Sequence, residues 1–382
     1  MIFSLLRFFA LLTLTRTVWG AANKSFGDCQ QVATQFANTV SNGPVTNIMN
    51  TTGVNVTCPQ ISNASCPGSM INGVCVWQQK LCVTCINGST VRIRVQSNGL
   101  PRRCTILPTD AVFAERNIDF EVNFNPDVSV NSPNHAPSTA AALNNILCNI
   151  SNHMSVPSTS AYTRLPASMP IDVLAGVAVD GVTILNVNSI NQVDPFYPPP
   201  GYPMEGADQC LSHPTGAGEF HYHISSGCIL NPPKGTVSGC GPDIGCANNI
   251  SSYSISTFSA YRRLTLIGIA KDGHLIYGPY LSSGVQVTTG FDICNGMFYD
   301  SFGNYAYFAT ETYPYVTGCF GPGNYPSFTP NCTTNAPSGY IKSSYAASFS
   351  SSNTNPVKVL PWFSRFFMMC LSMMIIFLLQ AD

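Results

Sequence analysis

Asp208-Gln-Cys210-Leu-Ser-His213-Pro-Thr-Gly216-Ala-Gly218-Glu-Phe220-His221-Tyr222-His223-Ile-Ser-Ser-Gly-Cys228 carries three of the six histidines of the chain. Side chains alternate between the two faces of an extended strand, so His221 and His223 share one face while Phe220 and Tyr222 take the other. Pro214, Gly216 and Gly218 are residues that reverse a chain, and a reversal there brings His213 in from a paired strand. Three neutral imidazoles at one point suit zinc or copper, with a fourth position open to water, a substrate or a carboxylate such as Asp208. The same alternation arises where one strand face is core and the other a hydrogen-bonded polar layer. On that reading the histidines are structural.

Outward from this stretch the pattern is mainly β. Ile171 to Val187 and Leu264 to Tyr280 are apolar runs interrupted once each, by Asp180-Gly181 and Asp272-Gly273, which predicts two hairpins. Asn87-Gly88 between Val83-Thr-Cys-Ile86 and Thr90 to Val95 predicts a third, and Ile118 to Phe124 alternates as a half-buried strand does. Expected helices are few and short, around Asp28 to Val40 and Ala140 to Leu147. Asp292-Ile-Cys294-Asn-Gly296-Met297, with Tyr305-Ala306-Tyr307-Phe308 and Cys319 behind it, aligns with the quoted stretch at a period of about 85 residues. The expected fold is therefore a duplicated, antiparallel, hairpin-rich β unit behind a disulfide-rich N-terminal region.

The quoted segment resembles the signature of the YHYH domain family, an Asp-x-Cys-x-x-His, a glycine turn and an aromatic-His-aromatic-His, here with Phe220 for the first tyrosine. Ser97-Asn98-Gly99-Leu-Pro101 is similar to an early family block. Gly176 to Ile184 and Gly268 to Tyr280 are similar to its two Ala-x-Asp-Gly blocks, so the resemblance spans about residues 90 to 325. It implies histidines in the second copy too, where this chain has Met297, Ala306 and Phe308. It also implies a histidine shortly after Pro101, where this chain has Arg102 and Arg103. Met297 would add a soft ligand favouring copper if the two copies face each other; otherwise it fills core space. The resemblance implies no reaction.

Charged residues make up 9% of the 382, and the formal net charge is −1, so no basic field exists for nucleic acid. Met1 to Gly20 reads as a secretory signal, ending in small residues near 22. Sequons at Asn23, Asn50, Asn55, Asn63, Asn87, Asn149, Asn249 and Asn331 offer glycosylation sites. Sixteen cysteines in such a chain imply disulfides, with Cys210, Cys228, Cys294 and Cys319 as candidates within the duplicated unit. Fifteen lie before the C-terminal tail, so one is left over. Cys82-Val-Thr-Cys85 reads either as a redox or zinc pair or as two structural cysteines.

The expected organisation is a signal peptide over 1–22, a Cys-rich region over 23–89 and the YHYH-like domain over 90–325. A Ser/Thr/Asn-rich stalk over 326–352 and a hydrophobic anchor signal over 353–382 follow. Apolar Trp362 to Leu379 with only three residues after it fits a glycosylphosphatidylinositol signal, the alternative being one membrane helix. Either places the chain on the outer face of the plasma membrane. No Gly-x-Ser-x-Gly, His-Glu-x-x-His or phosphate loop occurs, so any catalysis rests on the histidines. The other function class is a non-catalytic recognition scaffold, with aromatic contacts around Phe196 to Tyr202 and Tyr313 to Tyr315.

Overall fold

The computed structural model describes residues 23–349, apart from 38–39, 107–111, 131, 133, 154–161, 164–173 and 241–244. The expected signal peptide and anchor signal lie outside the described residues, as does Cys370. Among the described residues no helix is long and apolar enough to cross a membrane.

The fold is mainly β. The longest α-helices among the described residues, Phe26–Ala33 and Ala140–Leu147, have eight residues each. The first begins before Asp28 because Ser25 and Asp28 form a reciprocal capping box, and it ends at Thr34, well short of Val40.

Eight strands form the central sheet. These are β1 (Leu174–Ala178), β2 (Thr183–Leu185), β3 (Ser212–Pro214), β4 (Phe220–Tyr222), β5 (Leu266–Ala270), β6 (Leu275–Tyr277), β7 (Gly296–Phe298) and β8 (Tyr305–Phe308). Their order across the sheet is β3-β4-β2-β1-β5-β6-β8-β7, a palindrome of two four-strand units meeting at β1 and β5. The duplication seen in the sequence is thus a structural one. Gly268 pairs with Ala178 and Gly176 with Ala270 at the junction. A Cβ on Gly176 would stand 2.3 Å from the Ile269 carbonyl, so the backbones meet there only because glycine is present. Each unit also holds one parallel pair, β2 with β4 and β6 with β8, which the antiparallel expectation missed.

Both predicted Asp-Gly turns form, with Gly181 at φ 88° and Gly273 at φ 92°. They dock on a second, four-stranded sheet of Leu81–Ile86, Arg92–Ser97, Ile118–Asn123 and Tyr162–Thr163. Ser97 Oγ donates to the Gly181 carbonyl (2.5 Å), and Asn125 N–H donates to the Gly273 carbonyl (2.9 Å). The expected division at 89/90 falls in the hairpin joining the first two of these strands, whose residues pair from Leu81↔Ser97 to Ile86↔Arg92. Every residue of β1 to β8 is buried, so both faces of the central sheet are covered.

Seven disulfides form: Cys29–Cys85, Cys58–Cys104, Cys66–Cys75, Cys148–Cys332, Cys210–Cys228, Cys240–Cys246 and Cys294–Cys319. Cys82 is the leftover thiol and is buried. Cys82 and Cys85 therefore do not act as a pair, because Cys85 is bridged to Cys29.

The described part of 326–352 is not a stalk. Cys332 is bonded to Cys148, Thr333 Oγ1 donates to Asp194, and Tyr340 and Ala346 join the core. Composition misleads here because a few anchoring side chains and one bridge order an otherwise polar segment. Ending the chain at residue 325 is expected to remove a bridge closing a long loop, a cost of about 4 kcal/mol or more. A thermal melt of the secreted protein checks this, since an unchanged Tm would restore the stalk.

Candidate metal centre

β3 and β4 pair antiparallel with His213 directly opposite His221, across a turn in which Gly218 adopts φ 86°. His223 follows one strand step beyond. The three imidazoles each present a ligand atom within 4.8 Å of the others, and all three residues are buried. The sequence-predicted convergence is present.

Hydrogen bonding sets the tautomers. His221 Nδ1 lies 2.9 Å from the Glu219 carbonyl and His223 Nδ1 lies 2.6 Å from the Asn186 carbonyl. A carbonyl only accepts, so both Nδ1 atoms carry the proton and both neutral rings present an Nε2 lone pair. Those two Nε2 atoms are 3.0 Å apart. Burial, reinforced by the neighbouring histidine, pushes both imidazoles well below their ordinary pKa, which disfavours a shared proton as the solution. Two lone pairs facing each other in a buried site repel unless a cation lies between them. Backbone carbonyls holding the far nitrogens are also how metal-bound histidines are oriented.

A carboxylate that the sequence reading missed lies beside two of the imidazoles. Glu205 Oε2 lies 3.0 Å from His213 Nε2 and 3.6 Å from His223 Nε2. Burial alone would raise its pKa, but the His213 hydrogen bond and the adjacent imidazoles outweigh burial and hold it below the ordinary value. Glu205 is the only charged residue between Asp194 and Asp208, a signal that was available in the sequence.

Asp208, expected as that donor, does other work. Its Oδ1 accepts from Cys210 N–H (2.9 Å) and from Ser212 N–H and Oγ–H (3.0 Å each), while Oδ2 accepts from Thr105 Oγ1 (2.8 Å). These bonds hold the left-handed turn at Leu211 that aims β3, so Asp208 positions His213 and is not among the convergent ligand atoms.

Beneath the other face of β4 lies Arg103, where the resemblance implied a nearby histidine. Its guanidinium donates to Tyr222 Oη (2.9 Å) and Ser212 Oγ (2.5 Å), and lies 3.6 Å from both Asp180 and Asp208. It also stands 5.6 Å over the rings of Phe220 and Tyr222. The second unit does the same work without an arginine. There Tyr305 Oη donates to Asp292 (2.8 Å), and Tyr307 Oη (2.6 Å) and His274 Nδ1 (2.9 Å) reach Asp272. Phe220 in place of tyrosine is thus matched by Arg103, which supplies the polar contacts that a hydroxyl supplies in the second copy.

In the second unit Met297 pairs with Ala306 as His213 pairs with His221. β7 and β3 are opposite edges of the sheet, so Met297 fills core and does not reach the triad. A further group, His135 with Cys294 and Cys319, has its two sulfurs tied up in a disulfide. The aromatic contact residues expected for a scaffold are mostly interior: Phe196, Tyr313 and Tyr315 are buried, and only Tyr202 of those expected stretches' large side chains is well exposed.

The triad forms one wall of a cavity of about 710 Å³, a size that suits a small molecule. Glu219 and Arg116, which the sequence reading also passed over, line it. Burial pushes the Glu219 carboxyl up to about 7 against the pull of Arg116, and its Oε1 has no hydrogen-bond partner.

No curated protein and no solved structure matches the chain. The family model described as YHYH protein matches residues 153–291, which include β1 to β6, the whole triad and Glu205 but stop before Asp292 and the altered second signature. The match to the YHYH family model thus covers the part of the chain that builds the three-histidine site.

Proposed function

We propose that His213, His221, His223 and Glu205 hold one divalent transition-metal ion, zinc or copper, at the base of the cavity. The observation that carries this reading is the pair of Nε2 atoms 3.0 Å apart, each left as a lone pair by an Nδ1 bound to a carbonyl. A set of three nitrogens and one carboxylate oxygen suits four-coordinate zinc and also copper(II). The test is elemental analysis of a secreted protein of residues 23–349 made without a histidine tag, beside a His213→Ala/His221→Ala/His223→Ala variant. Near one equivalent in the parent and none in the variant is expected. A folded parent that holds no metal and takes up neither ion when it is supplied overturns the reading.

Glu205→Gln keeps the shape but removes the charge, and is expected to weaken zinc binding about 10-fold to 100-fold, read by competition with a chromophoric chelator.

The same proposal places the chain in the secretory pathway and, through a C-terminal lipid anchor, on the outer face of the plasma membrane. Seven disulfides support an oxidising compartment, and none of the eight sequon asparagines is buried. Peptide N-glycosidase treatment of the chain from a secreting eukaryotic cell is expected to lower its mass by several glycans, and phospholipase C to release it from the surface. Retention after phospholipase favours the single-helix alternative.

A further inference from the structure

We propose that the cavity beside the triad binds a small organic monoanion, a carboxylate with an apolar body, whose charged group is held between Arg116 and the metal centre. The metal half of this rests on the function proposed above; the Arg116 half does not. Three features of the cavity point to this ligand class.

The first is shape and lining. At about 710 Å³ the cavity is within the range of small-molecule sites, and Ile150, Leu185, Ile190 and Pro214 contribute apolar side chains to its lining. Ile190 is 83% exposed, an aliphatic side chain left in water at the edge of this cavity. An apolar ligand body would cover it.

The second is charge. Among the described residues that line the cavity, Arg116 is the only lysine or arginine, and Glu205 and Glu219 are the only acids. With a divalent ion bound there are three positive charges against at most two negative ones, so the loaded cavity keeps at least one net positive charge. Without the ion the sum is zero or negative. With both acids ionised the surplus is one charge, which matches a monoanion, and it makes anion binding depend on the metal.

The third is how Arg116 is held. Its backbone N–H donates to the Asn98 carbonyl (2.9 Å), and one guanidinium N–H donates to the Ala217 carbonyl in the turn between β3 and β4. That contact fixes the plane of the guanidinium against the loop carrying the histidines. A guanidinium has five N–H donors in a fork that fits a carboxylate, and among the described residues one of them is engaged, by the Ala217 carbonyl.

The probe is 2-naphthoate, followed by its own fluorescence, with the uncharged 2-naphthamide as its shape-matched control. Both are titrated into zinc-loaded parent, chelator-stripped parent, Arg116→Gln and Arg116→Lys, with zinc content and Tm measured on each sample. Zinc-loaded parent is expected to bind naphthoate at least 10-fold tighter than naphthamide. Arg116→Gln is expected to lose about 10-fold for naphthoate and nothing for naphthamide, Arg116→Lys is expected to recover part of that loss, and stripping is expected to weaken naphthoate alone. Equal binding of the two probes to zinc-loaded parent overturns the proposal and leaves the metal reading standing. So does an Arg116→Gln variant of parental Tm that binds naphthoate as parent does. If no sample takes up zinc yet Arg116→Gln still costs 10-fold for naphthoate, the anion site stands and the metal reading falls.

Discussion

Replacing Arg103 by methionine is expected to destabilise the protein by about 3–5 kcal/mol, a fall in Tm of roughly 10 °C. The guanidinium is fully buried and faces two buried carboxylates, Asp180 and Asp208, each 3.6 Å away. Burial raises the pKa of Asp180, and Arg103 is the main force opposing that rise. Methionine fills similar volume but leaves two desolvated acids, takes away the donor to the Tyr222 and Ser212 hydroxyl oxygens, and leaves no cation over Phe220. The cost should be pH-dependent in a defined sense. In the variant Asp180, which burial already pushes up, is expected to take up a proton more readily folded than unfolded, so the deficit grows as pH rises above the ordinary carboxylate range and shrinks towards pH 4. Adding Asp180→Asn to Arg103→Met should recover part of the loss, because it removes one of the two uncompensated charges. A urea melt showing less than about 1 kcal/mol difference at pH 7 would mean that the tyrosine and serine contacts, not the ion pairs, hold this layer together.

The parts of this fold legible in the sequence are those set by local backbone chemistry. Asp180-Gly181 and Asp272-Gly273 announce their hairpins because a left-handed glycine is needed there whatever surrounds it. His221 and His223 fall on one face because a strand leaves them no alternative, and His213 meets them because a turn of Pro214, Gly216 and Gly218 leads back. What stayed hidden depends on contacts between distant segments. Glu205 sits in an irregular proline-rich loop with no period to read, and it becomes a candidate ligand only because that loop crosses the end of β3. Alternation along β4 does not tell how deeply the strand lies; covering layers bury both its faces, and this burial is what depresses the imidazole pKa values. The parallel pairing of β2 with β4 is equally non-local, joining Ile184 to Tyr222 across the loop that carries Glu205.

The two units also separate what the scaffold requires from what the site requires. Both keep the aspartate that caps the left-handed residue, Leu211 at φ 65° or Asn295 at φ 67°, and both keep a disulfide from the following cysteine. Both keep a tyrosine hydroxyl on the Asp-Gly turn, Tyr222 on Asp180 and Tyr307 on Asp272. The three histidine positions, by contrast, are replaced by Met297, Ala306 and Phe308. A scaffold that needed imidazoles for packing would not tolerate Met297, Ala306 and Phe308 at the same places in the same sheet.

That comparison supplies its own experiment. His213→Met, His221→Ala and His223→Phe together copy the second unit into the first, and the triple variant is expected to fold, to retain Cys210–Cys228 and to lose all bound metal. It should also change the acid stability of the metal-free protein. His221 and His223 have folded pKa values well below 6.5, so as pH falls through 6.5 the unfolded chain takes up protons that the folded chain refuses. Each such histidine removes about 1.4 kcal/mol per pH unit below that point. Metal-free parent should therefore lose on the order of 2–3 kcal/mol between pH 6.5 and 5.5 that the triple variant keeps, while the two should run parallel above pH 7. Loss of the carbonyl contacts at Glu219 and Asn186 is expected to cost the variant about 1 kcal/mol each at every pH. Equilibrium urea melts of both metal-free proteins at pH 5.5, 6.5 and 7.5 read the difference directly. Curves that stay parallel across all three values would show that the two imidazoles are not held neutral, and the argument from facing lone pairs would fail with them.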